Sequence, residues 1–212
     1  MNSWDKVDTD LFGDEIEKKS EPKKKKRTSA AYYELRSKFV YKRAHSELQL
    51  LNALDDKKLE QGVSYNFITS GDVDQLSYLM LVMRTLKKLD YLLVSTWCCA
   101  SEDIVYLFEL HKQGKLNKLD FYVGEIFANS YPKEYKLLQD MYEEYPIGKI
   151  VLFRNHSKIF AGISDDGVGF AVQTSANMNT NPRSEQGNIQ IDNGLFQFYK
   201  DYFDGINSFV KE

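Results

Sequence analysis

The chain shows two kinds of hydrophobic pattern from about residue 63 onward. Short apolar runs alternate with longer stretches in which apolar residues recur every three or four positions. Side chains repeat every two residues along a strand and about every 3.6 along a helix, so the short runs predict strands and the long stretches predict helices. Strands are predicted at 65–69, 91–96 and 119–123, and helices at 73–89, 102–113 and 131–144. This order predicts a largely parallel sheet covered by helices.

A period-2 alternation follows after residue 150, in two apolar segments separated by Ser164, Asp165, Asp166 and Gly167. An Asp-Gly pair favours a tight turn, so the two segments predict an antiparallel hairpin. The complete pattern predicts an α/β fold: a mixed β-sheet flanked by helices on both faces.

A last helix is predicted at 195–209 and is rich in aromatic residues. Aromatic side chains on such a helix usually pack into a core or against a second subunit, and we interpret them so rather than as a platform that stacks nucleic-acid bases. They are Phe196, Phe198, Tyr199, Tyr202, Phe203 and Phe209.

The first part of the chain differs from the rest in composition. Residues 1–29 are highly charged and weakly hydrophobic, which predicts a disordered N-terminal tail. Residues 30–58 predict an N-terminal helix, and 59–212 form the main domain. The tail ends in a basic run: Lys23, Lys24, Lys25, Lys26 and Arg27. This run is either a nucleic-acid-binding arm or a solvated tail, and in a eukaryotic cell it would also serve as a nuclear import signal.

Composition narrows the class of protein. The chain has 212 residues, 42% of them hydrophobic, which fits one domain of modest size. Its net charge of −3 does not indicate a globally basic nucleic-acid-binding protein. We see no signal peptide and no apolar run long enough to span a bilayer, so we expect a soluble cytoplasmic protein without a membrane partner. Cys98 and Cys99 are adjacent and are interpreted as reduced core thiols.

Candidate chemistry is concentrated around the predicted hairpin. His156 and Lys158 are predicted at the start of its outgoing strand, and alternation would place both on one face, about 6.6 Å apart along the backbone, where they can reach one anion. The return strand ends at Thr174, so Ser175 and Asn177 should emerge beside them. This inventory is suited to a phosphate diester.

The order His156, Lys158, Ser175, Asn177 and then Glu185 resembles the signature of the phospholipase D superfamily. The resemblance covers 149–190, about a fifth of the chain. The sequence departs from that signature at two positions. Ile163 stands where the family has an Asp five positions after the Lys, and Thr174 stands where it has a Gly before the Ser.

The resemblance implies a phospholipase D-like sandwich and a metal-independent phosphodiesterase that needs no cofactor. In such proteins one His attacks phosphorus to form a phosphohistidine, and the His of a second motif protonates the leaving oxygen. A neutral imidazole can attack and a protonated one can act as an acid near pH 7. Lys158 and Asn177 would hold the phosphoryl oxygens, Ser175 would belong to the same site, and Glu185 would orient His156.

The chain carries one copy of the motif, because neither His45 nor His111 is followed two residues later by Lys. If catalysis needs two such histidines, the second must come from another copy across a two-fold axis. We therefore expect a homodimer with a shared site, and nucleic acid as substrate. The alternatives are a catalytically inactive nucleic-acid-binding or assembly protein, and a lipid phosphodiesterase.

Overall fold

The computed structural model describes residues 38–55, 57–71, 73–179 and 183–208, with side chains from residue 44 onward. These residues belong to one compact unit that extends over 36–212. The predicted disordered tail, its basic run from Lys23 to Arg27, and residues 30–37 of the predicted N-terminal helix lie outside the described residues.

The described residues form seven strands and six helices. The strands are β1 (Ser64–Thr69), β2 (Leu89–Thr96), β3 (Leu116–Gly124), β4 (Ile150–Phe153), β5 (Ile159–Ser164), β6 (Gly169–Thr174) and β7 (Glu185–Gln190). The helices are α1 (Lys38–Ala53), α2 (Gln75–Leu86), α3 (Ser101–Lys112), α4 (Phe127–Ser130), α5 (Pro132–Glu144) and α6 (Asn193–Asp204).

The strands form one mixed sheet in the order β1-β7-β6-β5-β2-β3-β4. Only β2–β3 and β3–β4 are parallel pairs, and the other four pairs are antiparallel. The mixed α/β fold is confirmed, whereas the expectation of a largely parallel sheet is wrong. The reason is β7, which the sequence pattern did not predict and which lies between β1 and β6.

Strand β7 escaped prediction because its sequence has little apolar alternation. It reads Glu-Gln-Gly-Asn-Ile-Gln, and Ile189 is its one large apolar residue. Gly187 is required here by packing, since a Cβ at this position would lie 2.4 Å from the ring of Tyr78 on α2. The strand therefore owes its place to a close approach of its backbone to a buried aromatic ring.

The two faces of the sheet are covered by different helices. The larger apolar cluster includes Leu79 and Val82 of α2, Leu107 of α3 and Leu138 of α5. The smaller cluster lies on the opposite face, where Phe203 and other residues of α6 pack against the sheet. Side chains alternate across each strand, so β2 contributes to both clusters. Coverage of both faces by helices, as predicted, is confirmed.

All seven strands have one end at the same edge of the sheet. The residue pairs Thr69 with Glu185, Thr174 with Gly187, and Ser95 with Ile159 bring the ends of β1, β2 and β6 together with the starts of β5 and β7. Strands β3 and β4 also end at this edge, because β3 runs parallel to β2 and β4 runs parallel to β3. We call this the polar edge, since the residues singled out from the sequence follow or precede these strands.

The predicted hairpin is present as β5 and β6, and its turn contains Gly167 at a φ of +84°. Helix α6 ends at Asp204, within the predicted 195–209 helix. Among the described residues, no helix combines the length and the apolar character that crossing a bilayer requires.

Candidate active site

His156 and Lys158 lie in a loop, residues 154–158, that joins β4 to β5. The prediction that both belong to a strand is wrong, because β5 begins only at Ile159. The cause is local: the backbone N–H and the hydroxyl of Ser157 both donate to Asn155 Oδ1, at 2.9 and 2.7 Å. Such a side-chain turn competes with strand pairing.

Asn155 fastens this loop to the sheet. Its side-chain Nδ2 donates to Ser95 Oγ at 2.9 Å and to the carbonyl of Tyr122 at 3.0 Å. The hydroxyls of Ser95 and Ser157 are 2.6 Å apart and close the network. Asn155 is only 5% exposed, so these hydrogen bonds are made away from water, where losing one is costly. The loop is therefore tied to the ends of both β2 and β3.

The loop holds an exposed imidazole beside a buried ammonium. His156 is exposed, with its ring centroid 5.7 Å from that of Trp97. Lys158 is 6% exposed, and its Nζ lies 3.0 Å from His156 Nδ1 and 2.6 Å from the His156 carbonyl oxygen. Burial lowers the pKa of the Lys158 ammonium below its ordinary value.

The contact between Lys158 and His156 decides which ring nitrogen carries a proton. A charged ammonium can only donate, so a charged Lys158 makes His156 Nδ1 an acceptor. A neutral imidazole then carries its proton on Nε2. In this arrangement the Nε2 lone pair is not available for attack, and Nε2 becomes a nucleophile only when its proton moves to Nδ1.

The hairpin brings Ser175 to the same edge. Thr174 donates its N–H to the Lys158 carbonyl at 3.1 Å. Ser175 follows Thr174 directly, so it lies close to Lys158. Its hydroxyl donates to the Glu185 carboxylate and accepts from the Gln186 N–H at 2.9 Å. The predicted role of Glu185 in orienting His156 remains a prediction.

Asn177 is positioned by the start of helix α2. Its backbone carbonyl accepts from the Gln75 N–H at 3.1 Å, and its side-chain Oδ1 is buried without a hydrogen-bond partner in the described part of the chain. A buried amide oxygen that lacks a partner is unusual in a folded protein. The structure therefore places all five predicted site residues along the polar edge.

Two further titratable side chains lie near the candidate site residues: Cys98 is close to Lys158, and Tyr78 is close to Glu185. Cys98 is buried, and burial raises the pKa of its thiol, while the positive charge of Lys158 and a hydrogen bond with Tyr131 act in the opposite direction. Tyr78 lies under β7, and burial raises its pKa to about 12, with the negative charge of Glu185 adding to that increase. The Cys98 thiol and the Tyr78 phenol are therefore both uncharged at physiological pH.

The sequence analysis missed Asn155 and Ser95 as site residues. One signal was available, since Ser95 and Thr96 are polar residues at the end of an otherwise apolar strand. Such residues usually serve a hydrogen-bond network or a ligand rather than the core. Asn155 gave no signal from spacing alone.

Ile163, which replaces the Asp of the family signature, lies away from the polar edge. It is five residues from Lys158 along β5, about 16 Å at the usual rise of a strand. Its side chain packs against the smaller apolar cluster under α6. An acidic residue at this position would face that cluster and would not reach a phosphate beside His156.

The described residues contain no group of three or more His, Cys, Asp or Glu side chains arranged to hold a metal ion. Catalysis without metal remains a prediction from the resemblance.

Comparison with solved structures confirms the fold. The polyphosphate kinase of Porphyromonas gingivalis, a phospholipase D superfamily member, matches 76% of this chain with a TM-score of 0.52 and 15% identity. A phosphatidylserine synthase from Haemophilus influenzae matches 66% at a TM-score of 0.48 and 16% identity. A yeast tyrosyl-DNA phosphodiesterase variant matches 60% at 0.37 and 11% identity. This chain has the phospholipase D-like fold, as its sequence predicted.

The likeness covers only part of those proteins. The aligned region is 28% of the kinase, 37% of the synthase and 32% of the phosphodiesterase. No protein-family model and no curated protein sequence matches the chain.

Replacing Asn155 tests whether its amide fastens the loop. Asn155→Asp keeps the shape of the side chain but turns the donating Nδ2 into an acceptor that faces two other acceptors. We expect a loss of about 3 kcal/mol in the free energy of unfolding, measured by urea denaturation. Asn52→Asp, on the exposed surface of α1, is the control and should change it by less than about 0.5 kcal/mol. Equal effects of the two changes would contradict the role of Asn155.

Replacing Lys158 tests whether its buried charge is unfavourable for folding. Lys158→Met keeps the length of the side chain and removes the charge. At neutral pH we expect the free energy of unfolding to increase by about 1 kcal/mol and Tm to rise by about 2–4 °C. The lowered pKa means that the folded chain binds this proton less tightly than the unfolded chain, so wild-type stability rises with pH between the two pKa values. The difference in the free energy of unfolding between the Lys158→Met protein and the wild type should therefore decrease as the pH approaches about 10.4.

The exposed Lys136→Met change, which breaks an ion pair with Asp140, is the matched control and should lower stability slightly. A Lys158→Met protein that is less stable than wild type at neutral pH, or whose advantage does not decrease with pH, would contradict the account.

Proposed function

We propose that the protein is a metal-independent phosphodiesterase that cleaves nucleic acid through a phosphohistidine at a site shared by two copies of the chain. The observation that carries the proposal is the buried Lys158 ammonium held 3.0 Å from the exposed His156 ring. Burying a charged group lowers the free energy of unfolding, so a buried ammonium indicates a functional role. Binding an anion is such a role.

Phosphate binding would also activate the imidazole. Two of the three donors of Lys158 Nζ are directed to His156 within the described chain. A phosphoryl oxygen competes with His156 Nδ1 for this ammonium, because an anion is the stronger acceptor. Once Lys158 has turned to the phosphate, Nδ1 can take the ring proton and Nε2 can attack. The substrate itself would then convert the resting tautomer of His156 into the tautomer that can attack phosphorus.

The proposed reaction has two displacements at phosphorus. The neutral imidazole of one His156 attacks, forming an N–P bond as the P–O bond to the leaving group breaks. The His156 of the second copy, protonated on both ring nitrogens, gives a proton to the leaving oxygen and becomes a neutral imidazole. Water then loses a proton to this second imidazole and attacks phosphorus, breaking the N–P bond. Lys158 and the amide of Asn177 stabilise negative charge on the non-bridging oxygens.

An open sheet face beside the site supports the dimer. A cavity of about 450 Å³ lies over β1, β7 and the start of β5, and its lining includes Lys158 and the amides of Asn66 and Asn188. Ile68 on this face is 79% exposed. An exposed isoleucine on an uncovered sheet face next to a one-histidine site favours coverage by a second copy.

Nucleic acid is the proposed substrate because a polyanionic diester suits the site and because the basic run from Lys23 to Arg27 adds positive charge to the same chain. That run would gather the substrate without reading its sequence.

The proposal is tested by hydrolysis of single- and double-stranded oligonucleotides in excess EDTA. His156→Ala should lower the rate at least about 10³-fold, because it removes both nucleophile and acid. His45→Ala, an exposed histidine of α1, should retain the wild-type rate.

Co-refolded mixtures test the shared site. If each site needs His156 from both copies, activity should fall as the square of the wild-type fraction when His156→Ala protein is added. A linear decrease would mean that one copy suffices and would overturn the shared site. Binding without cleavage by the wild type, or cleavage that survives His156→Ala, would overturn the enzyme and favour an inactive nucleic-acid-binding protein.

A further inference from the structure

An aromatic cleft lies beside His156. The cleft encloses about 340 Å³, and its lining includes His156, Arg154 and Phe153 together with Phe198 and Tyr202 of α6. It is thus continuous with the candidate catalytic side chain. Its volume falls in the usual range for a small organic group held on a protein surface.

The two outer rings of this cleft are not core residues. Phe198 is 62% exposed and Tyr202 is 60% exposed, whereas Phe196 and Phe203 of the same helix are buried. Positions 198 and 202 are one helical turn apart, so their rings share a face of α6. One face of α6 packs into the core as expected, while for the other face the expected contact with a second subunit stays a prediction.

The chemistry of the lining favours a planar, electron-rich ligand next to a phosphate. Flat rings stack on any nucleobase regardless of its identity, while an acyl chain is better matched by an aliphatic groove. Arg154 brings positive charge to the wall between the rings and His156, and a guanidinium can pair with a phosphate or stack on a base.

We infer that this cleft binds an unpaired nucleobase adjacent to the phosphate held at His156, which makes single-stranded nucleic acid the substrate class. This inference rests on the proposed function, since it places the base relative to the phosphate cleaved there. A base inside a duplex is stacked between its neighbours and cannot enter the cleft, so a paired substrate must first expose the base.

The test compares two fluorescent single-stranded oligonucleotides of equal length and charge, one with bases throughout and one abasic at the central positions. Binding is measured by anisotropy in a His156→Ala background, so that no cleavage occurs. The abasic change should weaken binding about 10-fold to protein that retains both rings, as expected for the loss of a stacked base. It should weaken binding less than 2-fold when Phe198→Leu, which keeps apolar bulk without a flat ring, is added.

Matched variants keep the test specific. Phe198→Tyr retains a ring and should restore the 10-fold preference for the oligonucleotide with bases. Val105→Ala, at an exposed apolar position of α3, should leave that preference and the wild-type rate of hydrolysis unchanged. Urea denaturation of every variant shows that each is folded.

Two results would overturn the inference. One is equal binding of the abasic and base-containing strands by protein with intact rings. The other is a change of oligomeric state by Phe198→Leu without a change in base preference, which would make the cleft a contact between two copies. Either can occur while wild-type protein cleaves phosphodiesters in EDTA, so failure here is distinct from failure of the proposed function.

Discussion

The hydrogen bonds of the Asn155 amide determine the geometry on which the remainder of the site depends. One side chain joins the ends of β2 and β3 through Ser95 and the Tyr122 carbonyl, and its oxygen accepts both polar groups of Ser157. The two residues on either side of Ser157 are His156 and Lys158. A rigid residue between them fixes the direction of each, so that a short loop achieves the precision usually found in strands and helices.

The fold brings the strand ends together, and the residues at the polar edge form the candidate site. Strands of a mixed sheet meet at that edge from both directions, which gathers residues as distant in sequence as Thr69 and Glu185. The likeness to a solved polyphosphate kinase concerns this architecture, and folds of this kind carry different reactions on the same frame. In this chain the polar edge holds the buried Lys158 ammonium next to the exposed His156 imidazole, and the aromatic cleft lies beside them.

The sequence predicted the fold class, which the structure confirms, because that class depends on local patterns. The roles of the five site residues remain a prediction. Alternation gave the hairpin of β5 and β6, and the fixed order from His156 to Glu185 gave the resemblance. It could not predict β7, whose position depends on the contact of Gly187 with the distant Tyr78 ring. Nor could it predict how the loop of His156 is held to the sheet, because the Asn155 side chain donates to groups 60 and 33 positions earlier in the chain. Ile163 illustrates the same limit: its distance from the site is visible only once β5 is in place.

The central claim is that His156 becomes a nucleophile toward a phosphate that Lys158 binds. The most direct measurement is mass spectrometry of the wild-type protein after millisecond mixing with single-stranded oligonucleotide and an alkaline quench. The account predicts a nucleotide adduct on the peptide that contains His156, stable in base and lost in acid, as expected for an N–P bond. Turnover without any adduct on that peptide, or an adduct on Ser175 or Cys98 instead, would contradict it.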